Sequence, residues 1–356
     1  MSDKVEESGE KHTWSALFNL GMLVVGGIAL AWLLRETKWA ELRDMLAGIG
    51  PWAALILAIE VASLACDAGA LHAFMRPEAR MVSYWRVLGA QASGRAINAL
   101  TPLGALGEAT KVTMLAGHAP RARVLSSLVL LNVAKLYLEV GVMLIGIPIT
   151  LLLIDLPDSI KVVVGIGVAV IVPLMIAIGV MIHRGAASSL VGILRRTRII
   201  KRERADAWKA KLVEVDKHIS ELHRHRTSGT RLGLMFVAIS QVLSIVGTVL
   251  MMVALDIHLT PSLLIGVLSV GQLVHWIANV IPLGLGLADG GMYALYSILG
   301  AGGEHGMFFQ MLYRARTVLV ACLGLGAMAV MNVLVRYGHW RVSKRLRDLK
   351  AAREDS

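Results

Sequence analysis

The stretches NALTPLGALGE at residues 98–108 and NVIPLGLGLADG at residues 279–290 decide the fold of this chain. Each lies in apolar surroundings, contains a proline and several glycines, and then presents a carboxylate, Glu108 in the first and Asp289 in the second. Proline removes a backbone donor and glycine admits conformations that other residues resist, so a regular helix cannot run through either stretch. Two such breaks in corresponding halves of a membrane protein are typical of the substrate site of a transporter.

The composition places the chain in a lipid bilayer. Of the 356 residues, 56% are hydrophobic and only 17% are charged, and the mean hydropathy is +0.66. Apolar runs of about 20 residues recur, which is the length needed to cross the hydrocarbon. The first run, residues 14–34, precedes no small-residue cleavage site, so we expect a retained span. The net charge of +11 does not indicate nucleic-acid binding, because the basic residues flank the spans.

The basic residues also set the predicted topology. They concentrate between residues 184 and 231 and in the tail, so we expect these segments and the N-terminus, residues 1–13, to be cytoplasmic. The segments 82–117 and 261–302 then each begin and end on one side of the membrane. We predict an all-α polytopic membrane protein with about six full transmembrane helices and two opposed re-entrant helical hairpins. The units 51–153 and 231–336 would form an inverted repeat, and the count rises toward eight if the hairpins cross completely.

This topology gives one transmembrane domain, residues 14–337, followed by a basic cytoplasmic tail, residues 338–356. The cytoplasmic segment 195–230 carries apolar residues at helical spacing between basic ones, which predicts an amphipathic helix on the membrane surface. This segment is also a candidate contact for a protein partner.

Ionisable residues inside apolar segments are the candidate functional groups, because each costs roughly 2.5 to 3.5 kcal/mol on insertion scales. Cations and half-helix N-termini together favour an anionic headgroup, and arginine binds phosphate bidentately. We therefore predict phosphate contacts from Arg95, Lys111 and Arg314. The full predicted substrate-binding set is Arg95, Asn98, Glu108, Lys111, Asn279, Asp289 and Arg314.

Internal pairing of the same charges is the structural alternative. Lys135 and Glu139 are four residues apart on one helix face, and Glu108 could pair with Arg95 or Lys111. Glu108 and Asp289 could also take up protons, which would permit proton coupling. Glu60 and Asp67, seven residues apart on one face of the second span, could do the same but rank lower because no helix break accompanies them. Further intramembrane polar groups are Asn132, in a stripe with Lys135 and Glu139, and His275 and Arg316 around the second hairpin.

Other chemistries find little support in the sequence. The cysteines, Cys66 and Cys322, both lie in apolar segments and predict neither a disulfide nor a thiolate site. Histidines 218, 223 and 225 lack the carboxylate or thiolate partners that a metal site needs. No phosphate-binding GxxxxGK[ST] loop occurs, so we expect no ATP hydrolysis. We also expect neither a bound metal nor a cofactor.

Two motifs of the chain resemble the lysylphosphatidylglycerol synthase transmembrane, or flippase-like, family of bacterial and archaeal membrane proteins. The first is RAINALTPLGALGEATK at residues 95–111, and the second is IPLGLGLAD at residues 281–289, followed by Tyr313 and Arg314. The likeness extends from about residue 14 to residue 337. It implies a translocase for a phospholipid or an isoprenoid-type lipid in a bacterial plasma membrane. This chain has Asp289 where the family usually has glutamate and Lys111 where arginine is common. In the family's two-part enzymes the synthase half is a soluble aminoacyl-transfer domain after the spans, whereas a short basic tail follows residue 337 here, so we expect no aminoacylation activity.

Three hypotheses remain open from the sequence. The leading one is a lipid translocase whose site lies between the two hairpins and whose partners are membrane lipids with anionic headgroups. The second is a lipid-modifying membrane enzyme that uses acids such as Glu60 and Asp67. The third is a non-transporting scaffold or lipid sensor that acts through the cytoplasmic segment 195–230.

Overall fold

The computed structural model of the chain is helical throughout the residues that it describes. These are residues 18–31, 47–77, 81–101, 106–116, 118–153, 228–278 and 286–354, with single positions between 162 and 173, and side chains are described up to residue 333. The N-terminus, residues 1–13, and residues 195–227 of the predicted cytoplasmic segment 195–230 therefore lie outside the described residues. So do both proline turns, at residues 102–105 and 279–285. Residues 228–230 of the cytoplasmic segment are helical.

Nine helices form the described architecture, and they alternate between long helices and shorter paired ones. In chain order they are α1 (Phe18–Ala31), α2 (Pro51–Phe74), α3 (Tyr84–Leu100), α4 (Leu106–Leu115), α5 (Arg121–Leu153), α6 (Ser228–Ala254), α7 (Pro261–Ala278), α8 (Leu287–Ile298) and α9 (Gly303–Glu354). The chain is thus an all-α polytopic membrane protein, as the sequence predicts.

Five of these helices are long and apolar enough to cross a membrane: α2, α5, α6, α7 and the first 31 residues of α9. Four of the five coincide with predicted full spans. The fifth, α7, is the first arm of the second predicted hairpin and reaches the length that a complete crossing requires. Helix α1 lies within the first predicted span, of which the structure describes the 14 residues Phe18–Ala31.

The helices α3 and α4 form the first hairpin. Gly94 on α3 lies against Lys111 on α4, and Asn98 lies against Gly107, so the two helices run antiparallel. The backbone N–H of Gly107 donates to Oδ1 of Asn98 at 2.7 Å, which satisfies one of the free donors at the start of α4. At 1.5 Å per residue, α3 and α4 are about 25 and 15 Å long. Neither helix spans a hydrocarbon core of about 30 Å, which agrees with a re-entrant pair.

The helices α7 and α8 form the second hairpin in the same way. Gly266 lies against Leu299 and Gly291 against Val274, so these helices also run antiparallel. Helix α7 contains a π-helical turn at Val267–Gly271, which brings Ser269 against Gly146 of α5. Helix α8 begins at a glycine of positive φ, Gly286, where φ is 79°.

The two units, helix–hairpin–helix in each case, exchange packing partners reciprocally. The last helix of the second unit, α9, packs on α3 of the first hairpin, and the last helix of the first unit, α5, packs on α7 of the second. The first helices of the units, α2 and α6, pack on each other and run antiparallel, because Ser63 meets Ser240 while Phe74 meets Gly233. Reciprocal contacts with antiparallel first helices are what an in-plane two-fold axis produces.

Two apolar clusters hold the units together. One lies among α2, α3, α5 and α9 and includes Leu71, Phe74 and Ile97, all essentially inaccessible to solvent. The other surrounds the second hairpin and includes Met251, Met292 and Tyr296.

The close approach of α3 and α4 yields a stability prediction. A Cβ atom on Gly107 would lie 2.0 Å from the backbone oxygen of Gly94 and 2.3 Å from Oδ1 of Asn98. Backbone cannot move aside as a side chain can, so Gly107→Ala should lower the free energy of unfolding by roughly 1–3 kcal/mol. Denaturation by SDS in mixed micelles measures this. Gly141→Ala is the control, because a Cβ there meets nothing within 4 Å. Equal losses in both variants would contradict the proposed packing.

Candidate functional site

The candidate site is built on two acids of α2. Glu60 and Asp67 are seven residues apart on one helix face and are 5% and 2% exposed. A carboxylate buried among apolar helices needs compensating partners. The structure supplies a separate set of partners to each acid, from different helices.

Glu60 lies between two arginines. Nη2 of Arg95, on α3, is 2.5 Å from Oε1 of Glu60, and Nη1 of Arg316, on α9, is 3.3 Å from Oε2. The three charges sum to +1, so this triad holds one more cation than its own carboxylate neutralises. The Arg95 side chain is 33% exposed, whereas that of Arg316 is 10% exposed. By side-chain exposure, Arg95 is the more accessible of the two arginines. Its Nη1 atom is nevertheless buried and has no hydrogen-bond partner among the described residues.

Asp67 has both carboxylate oxygens satisfied. Nζ of Lys135, on α5, donates to Oδ2 at 2.7 Å, and the hydroxyl of Ser240, on α6, donates to Oδ1 at 2.7 Å. The Ser63 hydroxyl lies 3.1 Å from that of Ser240 and extends the network. The predicted alternative of a Lys135–Glu139 pair is wrong. Lys135 binds the more deeply buried acid across the helix interface, and Glu139 is left half-buried beside the indole of Trp276 on α7.

A chain of side chains links the triad to the second hairpin. The guanidinium of Arg316 lies 4.5 Å from the centre of the Tyr313 ring, a cation–π contact. The Tyr313 ring lies 4.5 Å from the ring of His275 on α7. His275 in turn places its ring nitrogens 2.8 Å from the oxygen of Gly271, inside the π-helical turn, and 3.0 Å from Oε1 of Gln310. These contacts connect α7 with Arg316, one of the two arginines that bind Glu60.

The first hairpin carries a separate ion pair. Nζ of Lys111 donates to Oε1 of Glu108 at 2.7 Å, and Nδ2 of Asn98 reaches the same oxygen at 3.3 Å. Lys111 is 4% exposed, because the absence of a side chain at Gly94 lets its alkyl chain lie under α3. Of the two internal pairings that the sequence left open for Glu108, the structure shows Lys111. Arg95 is not its partner.

The second hairpin carries a matching pair. The carboxylate of Asp289 accepts from Arg314 on α9 and, at 2.9 Å, from the backbone N–H of Gly286. The carboxylate thereby caps the N-terminus of α8, where the helix dipole favours negative charge. Asn279, the remaining predicted site residue, lies outside the described residues.

The structure therefore divides the predicted site residues among three places. Arg95 joins the triad on Glu60, Lys111 joins Glu108 and Asn98, and Arg314 joins Asp289. The sequence analysis placed Glu60 and Asp67 below the hairpin acids as candidate functional residues. In the structure, both are centres of the described charge network. Their seven-residue spacing on one face of an apolar helix was the available signal.

Comparison with known proteins identifies the family. The family model described as "Lysylphosphatidylglycerol synthase TM region" matches residues 19–324, most of the chain. The chain belongs to this family. Neither a curated protein nor a solved structure gives a significant match. Membership places the chain among multi-pass membrane proteins of lipid metabolism or transport.

The matched region of the lysylphosphatidylglycerol synthase transmembrane family contains every charged group described above. It runs from α1 to the middle of α9 and so includes both hairpins and the acids of α2. It covers Arg314 and Arg316 and ends before the basic C-terminal part of α9. The charge network is thus a feature of the family region of this chain.

The pairing of Asp67 with Lys135 can be tested by a double-mutant cycle. Lys135→Met leaves a buried carboxylate with only Ser240 as a partner, so we expect unfolding to become easier by roughly 3–5 kcal/mol. Adding Asp67→Asn removes the uncompensated charge and should restore most of the loss. The measurement is SDS-induced unfolding of the two single variants, the double variant and the parent. Additive losses would show that the pair does not exist in the folded protein.

Proposed function

We propose that this chain is a lipid translocase that moves a lipid with an anionic phosphate headgroup, a phospholipid or an isoprenoid-type lipid, across the membrane between the two hairpins. The single observation that supports the proposal most directly is the triad on Glu60. It joins α3 of the first hairpin to α9 beyond the second, carries a charge of +1, and leaves about a third of the Arg95 side chain accessible.

The chemistry of the triad suits a phosphate. A guanidinium binds two phosphate oxygens with parallel N–H donors and is more weakly hydrated than an ammonium group. An anionic headgroup can take Arg95 while Glu60 keeps Arg316, so no carboxylate is left without a partner. An exchange of this kind avoids the large cost of leaving a buried charge unpaired.

The two hairpin pairs have a different proposed role. Lys111 and Arg314 are each neutralised by one acid on or beside their own hairpin, at Glu108 and Asp289. They become available to a headgroup only when these pairs open. We propose that they contact the phosphate at the two ends of its path, while Arg95 contacts it at the centre.

The setting of the protein follows the same proposal. We place it in a bacterial plasma membrane, with both termini cytoplasmic and membrane lipids as its partners. The cytoplasmic segment 195–230 remains a candidate surface for a protein partner. The proposed movement of lipid involves no covalent step, so we assign this chain no enzymatic reaction, metal or cofactor.

The competing hypotheses make different predictions from the same residues. A lipid-modifying enzyme would convert a lipid in detergent, where no leaflets exist. A scaffold would lose its function when residues 201–226 are deleted and would tolerate neutralisation of the hairpin acids or of Arg95. A translocase requires two leaflets and Arg95.

The proposed headgroup contact predicts the behaviour of Arg95 variants. In proteoliposomes, Arg95→Gln should slow translocation of a fluorescent anionic phospholipid about tenfold or more, because it loses a charge-assisted contact of roughly 1.5–3 kcal/mol. Arg95→Lys keeps the charge but loses the two parallel N–H donors of the guanidinium, so its translocation rate should be intermediate. Dithionite quenching of the outer leaflet measures both rates. Arg231→Gln is the matched control, since Arg231 is exposed at the start of α6. Unchanged rates in Arg95→Gln would rule out the triad as the site.

The hairpin pairs generate a second functional prediction. Glu108→Gln together with Asp289→Asn releases Lys111 and Arg314 from their acids while the side-chain shapes stay nearly the same. We expect tighter binding of the anionic lipid and slower release, and hence a translocation rate at least several-fold lower. The same dithionite assay at matched incorporation, with an anionic and a zwitterionic lipid in parallel, measures this. A double variant that transports both lipids like the parent protein would exclude the hairpin pairs from the path.

A further inference from the structure

Within the described part of the chain, Glu139 is the acid of the charge network that has no basic partner of its own. It lies on α5 one turn beyond Lys135, but Lys135 donates to Asp67 at 2.7 Å. Among the residues that the structure describes, no basic side chain lies within 4.0 Å of the Glu139 carboxylate. The charged groups that act on it are Lys135 on its own helix, Asp67 on α2 and Arg95 on α3, and its polar neighbour on α7 is the indole of Trp276.

The charges around Glu139 balance only when it is ionised. The described network across α2, α3, α5 and α9 contains three carboxylates and three cations: Glu60, Asp67, Glu139, Arg95, Lys135 and Arg316. With all six charged, the sum is zero. Adding a proton alone leaves one unbalanced positive charge among apolar helices, and adding a monoanionic headgroup alone leaves one negative charge. Adding both restores zero, so each stabilises the binding of the other.

The other acids are poorly placed to take up this proton. Glu60 contacts two arginines, Asp67 contacts Lys135 and Ser240, Glu108 contacts Lys111, and Asp289 contacts Arg314 and a backbone N–H. Protonation of any of them would leave at least one cation without its partner. Protonation of Glu139 breaks no ion pair in the described part of the chain.

We propose that Glu139 is a proton-binding site that couples lipid movement to a proton gradient. The inference rests on the proposed translocase function and adds its source of energy. A proton from one compartment forms an O–H bond at the Glu139 carboxylate when an anionic phosphate binds Arg95. When the lipid leaves toward the other leaflet, the carboxylate releases that proton to the other compartment. One proton and one monoanionic headgroup cross together, so the cycle is electroneutral.

The experiment uses the full chain in proteoliposomes containing a fluorescent phosphatidylglycerol, with a pH difference of one unit and with the membrane voltage clamped to zero by potassium and valinomycin. With one proton per lipid, the steady-state ratio of labelled lipid between leaflets should approach about tenfold, because one pH unit corresponds to a tenfold ratio. Glu139→Gln should still exchange the lipid but reach a ratio of one. Glu304→Gln, a change at an exposed acid at the start of α9, should keep the full ratio.

A second measurement on the unmodified protein keeps the test independent of how Glu139→Gln folds. Calorimetric titration with short-chain phosphatidylglycerol in two buffers of different ionisation enthalpy reports the number of protons taken up. We expect about one proton per anionic lipid bound and none for short-chain phosphatidylcholine.

The outcomes separate the coupling from the transport. A wild-type protein that moves the anionic lipid but reaches no asymmetry and takes up no proton would overturn the role of Glu139 and leave the translocase proposal intact. Retention of the tenfold ratio by Glu139→Gln would also overturn it. If the wild-type protein moves no lipid, and if it takes up no proton when short-chain phosphatidylglycerol is added, both proposals are overturned.

Discussion

The interaction on which the site depends is the double pairing of Glu60 with Arg95 and Arg316. These residues come from α2, α3 and α9, so one carboxylate joins the first helix of one unit, a hairpin arm and the last helix of the other unit. Charges in an apolar environment tolerate separation poorly, and ion pairs of this kind fix the relative position of helices more than they add net stability. The arginines therefore specify how the two units meet.

The reciprocal packing of the units explains why the network forms between them. Because α9 lies on α3 and α5 lies on α7, polar residues on the last helix of each unit face the hairpin of the other. Arg316 of α9 binds Glu60 of α2, which also binds Arg95 of α3, and Glu139 of α5 lies beside Trp276 of α7. Small residues make this possible, since a Cβ on Gly324 would lie 2.3 Å from the backbone of Ala92. The inverted order of the elements thus brings both hairpins to one polar centre.

Local signals in the sequence were enough for the class of the fold and for the hairpin arms. Proline and glycine at residues 98–108 predicted the break that separates α3 from α4, and hydropathy predicted the spans that the structure describes. Pairing partners were a different problem. An i,i+4 spacing favoured Lys135 with Glu139, but Asp67 from another helix is more deeply buried and binds the lysine. Spacing along one helix carries no information about which helix packs against it, so the triad on Glu60 could not be derived before the fold was known.

The distribution of charge among the ion pairs also bears on which ligands the protein can bind. The hairpin pairs at Lys111 and Arg314 are one to one, whereas the triad on Glu60 has an extra cation and Glu139 has no basic partner among the described residues. A network that is neutral in total yet unequal in its parts keeps a positive end at Arg95 and a negative end at Glu139. Such a network binds an anion at its positive end more favourably when its negative end takes up a proton. Under the proposed function, headgroup binding and protonation therefore favour each other, whichever lipid supplies the phosphate.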